Sequence, residues 1–136
     1  FPRIDDRQTG MPYRYGWMLE MDYSRPVEMK GGSAGGLLMN CLCLKDLQTG
    51  DEQHWWCGPT STLQEPCFIP RSKDAPEGDG WIVQVCNRLE EQRSDLLLFD
   101  ALDIAKGPIA TIQIPIRLRF GLHGNWANAD QIGLVA

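Results

Sequence analysis

Short apolar segments with a period of two, separated by polar turns, restrict this chain to a β-sheet fold. The segment IATIQIPI (109–116) carries an alanine and three isoleucines at even positions, with a threonine and a glutamine between them. In WIVQVC, Trp81, Val83 and Val85 fall on one face and Gln84 on the other. Successive side chains of a strand point to opposite faces of its sheet, so both segments are predicted strands.

Further strand signals follow one another along the chain. They are YRYGWMLEM (13–21), LLMNCLCL (37–44) after the Gly-rich loop KGGSAGG (30–36), Gln53–Trp56, PCFIP (66–70) and DLLLFD (95–100). LLMNCLCL has the length of a fully buried strand. DLQTGDEQ (46–53) predicts a turn, because Gly50 tolerates backbone conformations that other residues avoid. NRLEEQRSDLLLF (87–99) could also form a helix, but its neighbouring strands favour a hairpin.

The pattern predicts an all-β fold, and the spacing of the strands suits a sandwich, a barrel or propeller blades. Two segments, 42–55 and 96–112, are loosely alike. Each runs from an apolar strand through a turn that contains aspartate and glycine into another strand. This loose repeat points to a propeller.

Composition excludes several classes of function. The net charge of −5 and the scattered basic residues argue against a nucleic-acid surface, and no apolar run reaches the roughly 20 residues of a membrane span. Five cysteines without a CxxC pair favour buried, reduced thiols over a disulfide framework or a zinc site. We therefore expect a reducing, cytoplasmic compartment.

The first residues, FPRIDDRQTGMPYRYG, contain no signal-peptide pattern and resemble the interior of a longer sequence. We expect a truncated chain.

Candidate chemistry rests on few residues. Of the two histidines, His54 precedes two tryptophans at a strand end, which favours an exposed or hydrogen-bonded structural role. His123 lies in FGLHGNW, where Gly121 and Gly124 would let the backbone pass close to another group. Glu65 directly precedes an apolar strand, so its carboxylate needs a partner: either loop amides or the N–H of a metal-bound imidazole.

Other catalytic patterns are missing. The Gly-rich loop lacks the order of a phosphate-binding loop, and Ser33 has no GxSxG context. Four tryptophans could offer stacking surfaces: Trp55, Trp56, Trp81 and Trp126. The favoured interpretation is that they fill the cores of propeller blades.

Three groups of motifs carry a resemblance to a known family. They are FPRID with PYRYG at the start, QEPCFIPRSKDAPEGDGW in the middle and LRFGLHGNW near the end. In order and separation they resemble the last third of a carotenoid cleavage oxygenase. QHWWCGPTSTLQEPCFIPR is similar to the lignostilbene dioxygenase branch, and the similarity spans nearly the whole chain.

The resemblance implies a fold and a metal. Residues 1–136 would be the C-terminal portion of a single seven-bladed β-propeller domain, with open sheet edges where N-terminal blades are missing. One Fe(II) ion would be held on its axis by four histidines, of which this chain supplies only one. His123 matches the final iron ligand, and Glu65 matches the glutamate that orients a ligand imidazole. The partner histidine of Glu65 is left open by the sequence.

The implied activity is oxidative cleavage of the central C=C bond of hydroxystilbenes by O₂ to two aromatic aldehydes, with the chain inactive on its own. Its partners would be the aromatic alkene, O₂ and the missing blades of the same protein, with no nucleic acid and no membrane span. One alternative is cleavage of an apocarotenoid. Another is a non-catalytic β-sheet module for binding or structure.

Overall fold

The computed structural model describes residues 1–27, 39–121, 123–129 and 131–134. Within these ranges the regular structure is antiparallel β-sheet, with 3₁₀ turns at Asp6–Gln8 and Ile104–Lys106. No helix in the described part is long and apolar enough to cross a bilayer. The predicted all-β fold is confirmed, whereas the Gly-rich loop at 30–36 lies outside the described residues.

The strands form two sheets. Sheet A contains β1 (Pro2–Arg3), β2 (Tyr15–Glu20), β3 (Cys41–Asp46) and β4 (Glu52–Trp56) in that order. Sheet B contains β5 (Ser61–Leu63), β6 (Cys67–Pro70), β7 (Gly80–Arg88), β8 (Arg93–Asp100) and β9 (Ala110–Ile114). β5 and β6 pair with the same edge of β7, so they act as one edge strand interrupted at residues 64–66.

Each sheet is therefore a four-position antiparallel meander, and the two sheets pack against each other as neighbouring propeller blades do. The two loosely similar segments occupy equivalent places, since 42–55 spans the β3–β4 hairpin and 96–112 spans the β8–β9 hairpin. The propeller prediction made from this weak repeat is confirmed at the level of blade topology.

Trp17 is the largest side chain with no exposure in the core between the sheets. Its indole stacks on the ring of Phe68, with ring centroids 4.8 Å apart, and its Nε1 donates a hydrogen bond of 2.8 Å to the carbonyl of Ala101. Trp17 belongs to sheet A, whereas Phe68 belongs to β6 and Ala101 follows β8. One side chain thus fixes the two sheets by apolar contact and by a directional bond.

Most strand predictions are confirmed, including the hairpin at 88–93 and the buried run Cys41–Leu44. The strand predicted at 37–44 begins at Cys41, with 37–38 outside the described residues. Strands β1 and β5 were not predicted, because two or three residues carry no readable alternation. The alternation in β9 is present, but Ile112 is 61% exposed because β9 is an edge strand.

The tryptophans divide between core and surface. Trp55 packs edge-on against Phe99, with ring centroids 5.0 Å apart, as a blade-core residue would. Trp56 and Trp81 are half-buried. Trp126 is 49% exposed and fills no blade core within the described residues.

Replacing Trp17 by Phe tests the contact between the sheets. The variant loses indole volume and leaves the carbonyl of Ala101 without this donor, so we expect a loss of about 2–3 kcal/mol in the free energy of unfolding. Urea unfolding followed by circular dichroism measures it. The matched control is Trp126→Phe on the surface, which should change stability by about 0.5 kcal/mol or less. Equal effects of the two substitutions would contradict the assigned role of Trp17.

Candidate functional site

The interruption between β5 and β6 positions Glu65. Gln64 still donates its backbone N–H to the carbonyl of Val85 at 2.9 Å, but Pro66 has no N–H to offer. The edge strand consequently breaks here, and Glu65 leaves the hydrogen-bond ladder with its side chain only 5% exposed. A carboxylate buried to this extent requires hydrogen-bond donors.

One of these partners is His123. Its Nδ1 lies 3.2 Å from Oε1 of Glu65, across 58 positions of sequence. The imidazole is 74% exposed and meets the ring of Phe1 edge-on, with centroids 5.7 Å apart. The structure therefore brings together the two residues that the sequence singled out separately, and it identifies the histidine that contacts Glu65.

The second oxygen of Glu65 is also occupied. Oε2 accepts the backbone N–H of Gly124 at 3.1 Å and a guanidinium N–H of Arg3 at 3.2 Å. Arg3 also donates to the carbonyl of Gly124 at 2.8 Å and to Oδ1 of Asn125 at 3.1 Å. The Arg3 guanidinium thus hydrogen-bonds both to the segment that carries His123 and to Glu65, the carboxylate that contacts the His123 ring.

The register of sheet A explains how Arg3 reaches this site. Arg3 pairs directly with Trp17 in the β1–β2 ladder. Directly opposed residues of antiparallel strands project to the same face, and Trp17 faces sheet B. Arg3 is therefore carried on the face of sheet A that meets Glu65.

The ionisation state of Glu65 follows from these contacts. Burial favours the neutral acid, but the N–H of Gly124, the ring of His123 and the charge of Arg3 outweigh it and hold the pKa of Glu65 below its ordinary value. An ionised carboxylate can only accept hydrogen bonds. Nδ1 of His123 must then carry the proton in this contact, which leaves Nε2 with its lone pair in the neutral ring.

Two sequence expectations about the neighbouring glycines have different outcomes. Gly121 does make a close approach, since a Cβ there would lie 2.8 Å from Oε1 of Gln64, which accepts the Gly121 N–H. A Cβ on Gly124 would meet nothing within 4 Å, so the expected steric reason for this glycine is wrong. Gly124 contributes through its backbone N–H and carbonyl.

His54 stands elsewhere, on β4 of sheet A. Its Nδ1 lies 3.1 Å from Oε2 of Glu20 and its Nε2 lies 3.5 Å from Oε2 of Glu52. These contacts agree with the predicted hydrogen-bonded role. Both ring nitrogens of His54 thus face carboxylates, whereas only Nδ1 of His123 contacts one.

Sequence reasoning gave no role to Arg3 or Asn125. FPRID served only as a motif, although it contains Arg3, because a contact across 62 positions leaves no local pattern. The available signal was the co-occurrence of FPRID, QEPCFIPRSKDAPEGDGW and LRFGLHGNW in one chain. These three motifs meet in space as one cluster.

The cluster suits one imidazole ligand of a metal. A ligating histidine typically donates its second ring N–H to a carboxylate, which fixes the tautomer and raises the basicity of the ligating nitrogen. His123 with Glu65 has this arrangement. A site of several histidines would need imidazoles that this chain does not contain, since its other histidine is bound to the carboxylates of sheet A.

Comparison with known proteins gives a consistent result. The family model for retinal pigment epithelial membrane protein (RPE65) matches residues 1–128. Lignostilbene-alpha,beta-dioxygenase isozyme III of Sphingomonas paucimobilis is 49% identical over the whole chain, which spans 28% of that protein. The chain therefore covers between a quarter and a third of this relative's length.

Solved structures agree. The lignostilbene dioxygenase of Pseudomonas brassicacearum superposes with a TM-score of 0.87 and 44% identity, over 93% of this chain and 26% of that one. A variant of the Synechocystis apocarotenoid oxygenase superposes with a TM-score of 0.80 and 31% identity, over 93% and 25% of the two chains.

The tautomer of His123 can be measured directly. At neutral pH we expect the Nδ1–H form, and we expect Glu65→Gln to abolish that preference, because an amide can both donate and accept. Long-range ¹H–¹⁵N NMR of the ring distinguishes the two forms. Glu91→Gln, at an exposed carboxylate in the β7–β8 turn, is the matched control and should leave the spectrum unchanged.

The same carboxylate predicts a dependence of stability on pH. Because the pKa of Glu65 is lowered on folding, its stabilising contacts are fully present above the ordinary carboxyl value of about 4.3. They are lost as the pH falls through the lower, folded-state value. At neutral pH the free energy of unfolding of Glu65→Gln should therefore be lower than that of the unsubstituted chain. It should also fall less steeply as the pH decreases. Identical pH profiles would contradict this assignment.

Proposed function

Since the chain belongs to the retinal pigment epithelial membrane protein (RPE65) family of carotenoid oxygenases, we propose that it is part of a non-haem Fe(II) dioxygenase. The proposed reaction cleaves the central C=C bond of a hydroxystilbene with O₂ and yields two aromatic aldehydes. The observation that carries the proposal is the contact between the Glu65 carboxylate and Nδ1 of His123.

His123 would bind the iron through Nε2, the ring nitrogen that remains once Nδ1 is held by Glu65. Bound ferrous iron with open positions would supply the activation of O₂ beside the alkene. Glu65 keeps the ring in one tautomer and one orientation, and Arg3 and the Gly124 N–H keep Glu65 ionised and in place. The chain's own contribution is therefore to hold one ligand rigidly.

The proposed substrate class is inferred from the names of the relatives and their identity to this chain. Identity is 49% and 44% to two proteins whose names specify lignostilbene, and 31% to one that specifies an apocarotenoid. The lignostilbene names favour a phenolic stilbene. Apocarotenoid cleavage is the competing assignment, and the test below separates the two.

Residues 1–136 would form part of one propeller domain, with its other blades supplied by the rest of the same protein. The coverage of about a quarter of the structural relatives supports this organisation. We expect no cleavage by the 136-residue chain alone, since it offers one imidazole where the family resemblance implies four. All five cysteines are free thiols, which favours a reducing compartment such as the cytoplasm.

Iron content and cleavage test the proposal together. The 136-residue chain and a longer form with a complete propeller are purified anaerobically with Fe(II) and given 4-hydroxystilbene or an apocarotenoid. We expect iron and stilbene cleavage in the longer form only. In that form His123→Ala should abolish both, and Glu65→Ala should lower iron retention by about 10- to 100-fold.

Glu91→Gln, at an exposed carboxylate in the β7–β8 turn, is the control and should retain iron and activity. Cleavage of the apocarotenoid without cleavage of the stilbene would favour the competing assignment. Full iron retention and activity in both His123→Ala and Glu65→Ala would remove the metal assignment.

Arg3 provides an independent test of how Glu65 is held. Arg3→Ala should reduce iron retention about tenfold, and Arg3→Lys should recover only part of it, because an ammonium lacks the planar fork that reaches several acceptors. The fraction of the His123 Nδ1–H form should fall in parallel. Arg71→Ala, at an exposed arginine that directly follows β6, is the matched control. An unchanged tautomer in Arg3→Ala would contradict a positioning role.

A further inference from the structure

A second group of metal-ligating side chains lies on the face of sheet A that is turned away from sheet B. Cys43 on β3 pairs directly with His54 on β4, and Glu20 on β2 pairs with Cys41, two residues along β3. Because alternate residues of a strand share a face, all of these side chains project to the same side. One ligand atom each from Glu20, Cys43 and His54 lies within 4.8 Å of the others.

We propose that Glu20, Cys43 and His54 form a binding site for a divalent cation of the zinc class, distinct from the iron site proposed at His123. The cation would take the Cys43 sulfur, Nδ1 of His54 and a carboxylate oxygen of Glu20. Water would occupy the fourth position of a tetrahedral set.

The donor types select the class of metal. Thiolate and imidazole favour zinc and its neighbours among the transition metals, whereas Mg²⁺ and Ca²⁺ require oxygen ligands. This set contains one sulfur, one nitrogen and one oxygen donor on three adjacent strands. The ladder between β2, β3 and β4 fixes the backbone positions of the three donors relative to one another.

Burial and access are also suitable. Cys43 has no exposure, whereas the side chains of Glu20 and His54 are 35% and 44% exposed. In the 136-residue chain a cation could therefore reach the sulfur past the imidazole and the carboxylate, while the sulfur itself is shielded from water. Such shielding strengthens the attraction between a cation and the ligand charges.

Glu52 supplies the outer support that a ligating imidazole normally has. Its Oε2 lies 3.5 Å from Nε2 of His54, and its Oε1 is bound by the ammonium of Lys45. With Nε2–H directed to Glu52, Nδ1 would be the ligating nitrogen of His54. This is the arrangement of carboxylate, histidine and metal found in many protein sites.

The surroundings of Cys43 disfavour its thiolate, so a cation that binds there has to displace the thiol proton. Burial, together with the negative charges of Glu20 and Glu52, raises the pKa of the Cys43 thiol to about 12. A bound divalent cation would reverse this effect, because metal binding displaces the thiol proton. The carboxylates that disfavour a bare thiolate would then face a positive charge.

Metal titration of the 136-residue chain tests the site. We expect one equivalent of Zn²⁺ to bind, and Co²⁺ to give the ligand-to-metal charge-transfer absorption of a cobalt–thiolate bond. Cys43→Ser should abolish that absorption, and His54→Gln should remove stoichiometric binding. Glu52→Gln should weaken binding by about 10- to 100-fold.

The controls separate this site from other thiols and from the iron site. Cys67→Ser removes a half-buried cysteine of β6 and should leave the Co²⁺ spectrum unchanged. His123→Gln should also leave it unchanged, even if the proposed iron role of His123 fails. Circular dichroism establishes that each variant is folded. Glu20→Gln and His54→Gln alter part-exposed positions, so they test the site if Cys43→Ser does not fold.

Absence of Zn²⁺ and Co²⁺ binding in the folded chain would overturn the proposal. So would a cobalt–thiolate band that survives Cys43→Ser or disappears in Cys67→Ser, because either result would assign the metal to a different sulfur.

Discussion

The packing of Trp17 between the sheets is the interaction on which the candidate site depends. Its ring stacks on Phe68 and its N–H reaches the carbonyl of Ala101, so it sets the position of sheet A against sheet B. Arg3 is the residue directly opposite Trp17 in the β1–β2 ladder. Glu65 belongs to the broken edge strand of sheet B, and therefore the distance between Arg3 and Glu65 is fixed by the same contact.

This dependence explains why a two-residue strand matters. β1 buries little surface and contributes a short ladder to sheet A. Its value lies in placing a guanidinium that reaches Glu65, the Gly124 carbonyl and Asn125 together. Buried polar groups of this kind need all their partners, since a carboxylate without them would be costly to desolvate. Among its described residues, the segment that carries His123 is thus attached to the sheets by these polar contacts.

The sequence was most informative where periodicity carries the signal. The long strands β7 and β8 and the β3–β4 hairpin follow from alternation and turn residues, since burial of one face imposes the pattern. β1 and β5 could not be predicted, because their pairing depends on β2 and β7 rather than on their own residues. The steric expectation for Gly124 failed for a similar reason, since the space around a backbone is set by segments distant in sequence.

The same division applies to the candidate site. Glu65 and His123 were each identified from local context and family motifs, but their contact joins positions 58 residues apart. The role of Arg3 could not be inferred from the sequence, because it depends on the β1–β2 register that places Arg3 opposite Trp17. Cysteine spacing likewise predicted no zinc site, because a CxxC search detects ligands adjacent in sequence. A cross-strand set such as Glu20, Cys43 and His54 becomes apparent only once strand pairing is known.

The two histidines show how environment assigns different chemistry to the same side chain. His123 contacts one carboxylate, and that carboxylate is held ionised by an arginine and a backbone amide, so one ring nitrogen is fixed and the other is left for a ligand. His54 has a carboxylate at each nitrogen and a buried thiol opposite it. The first arrangement suits one member of a ligand set completed by other imidazoles. The second contains sulfur, nitrogen and oxygen donors of its own, so a cation bound there would need only water to complete its coordination.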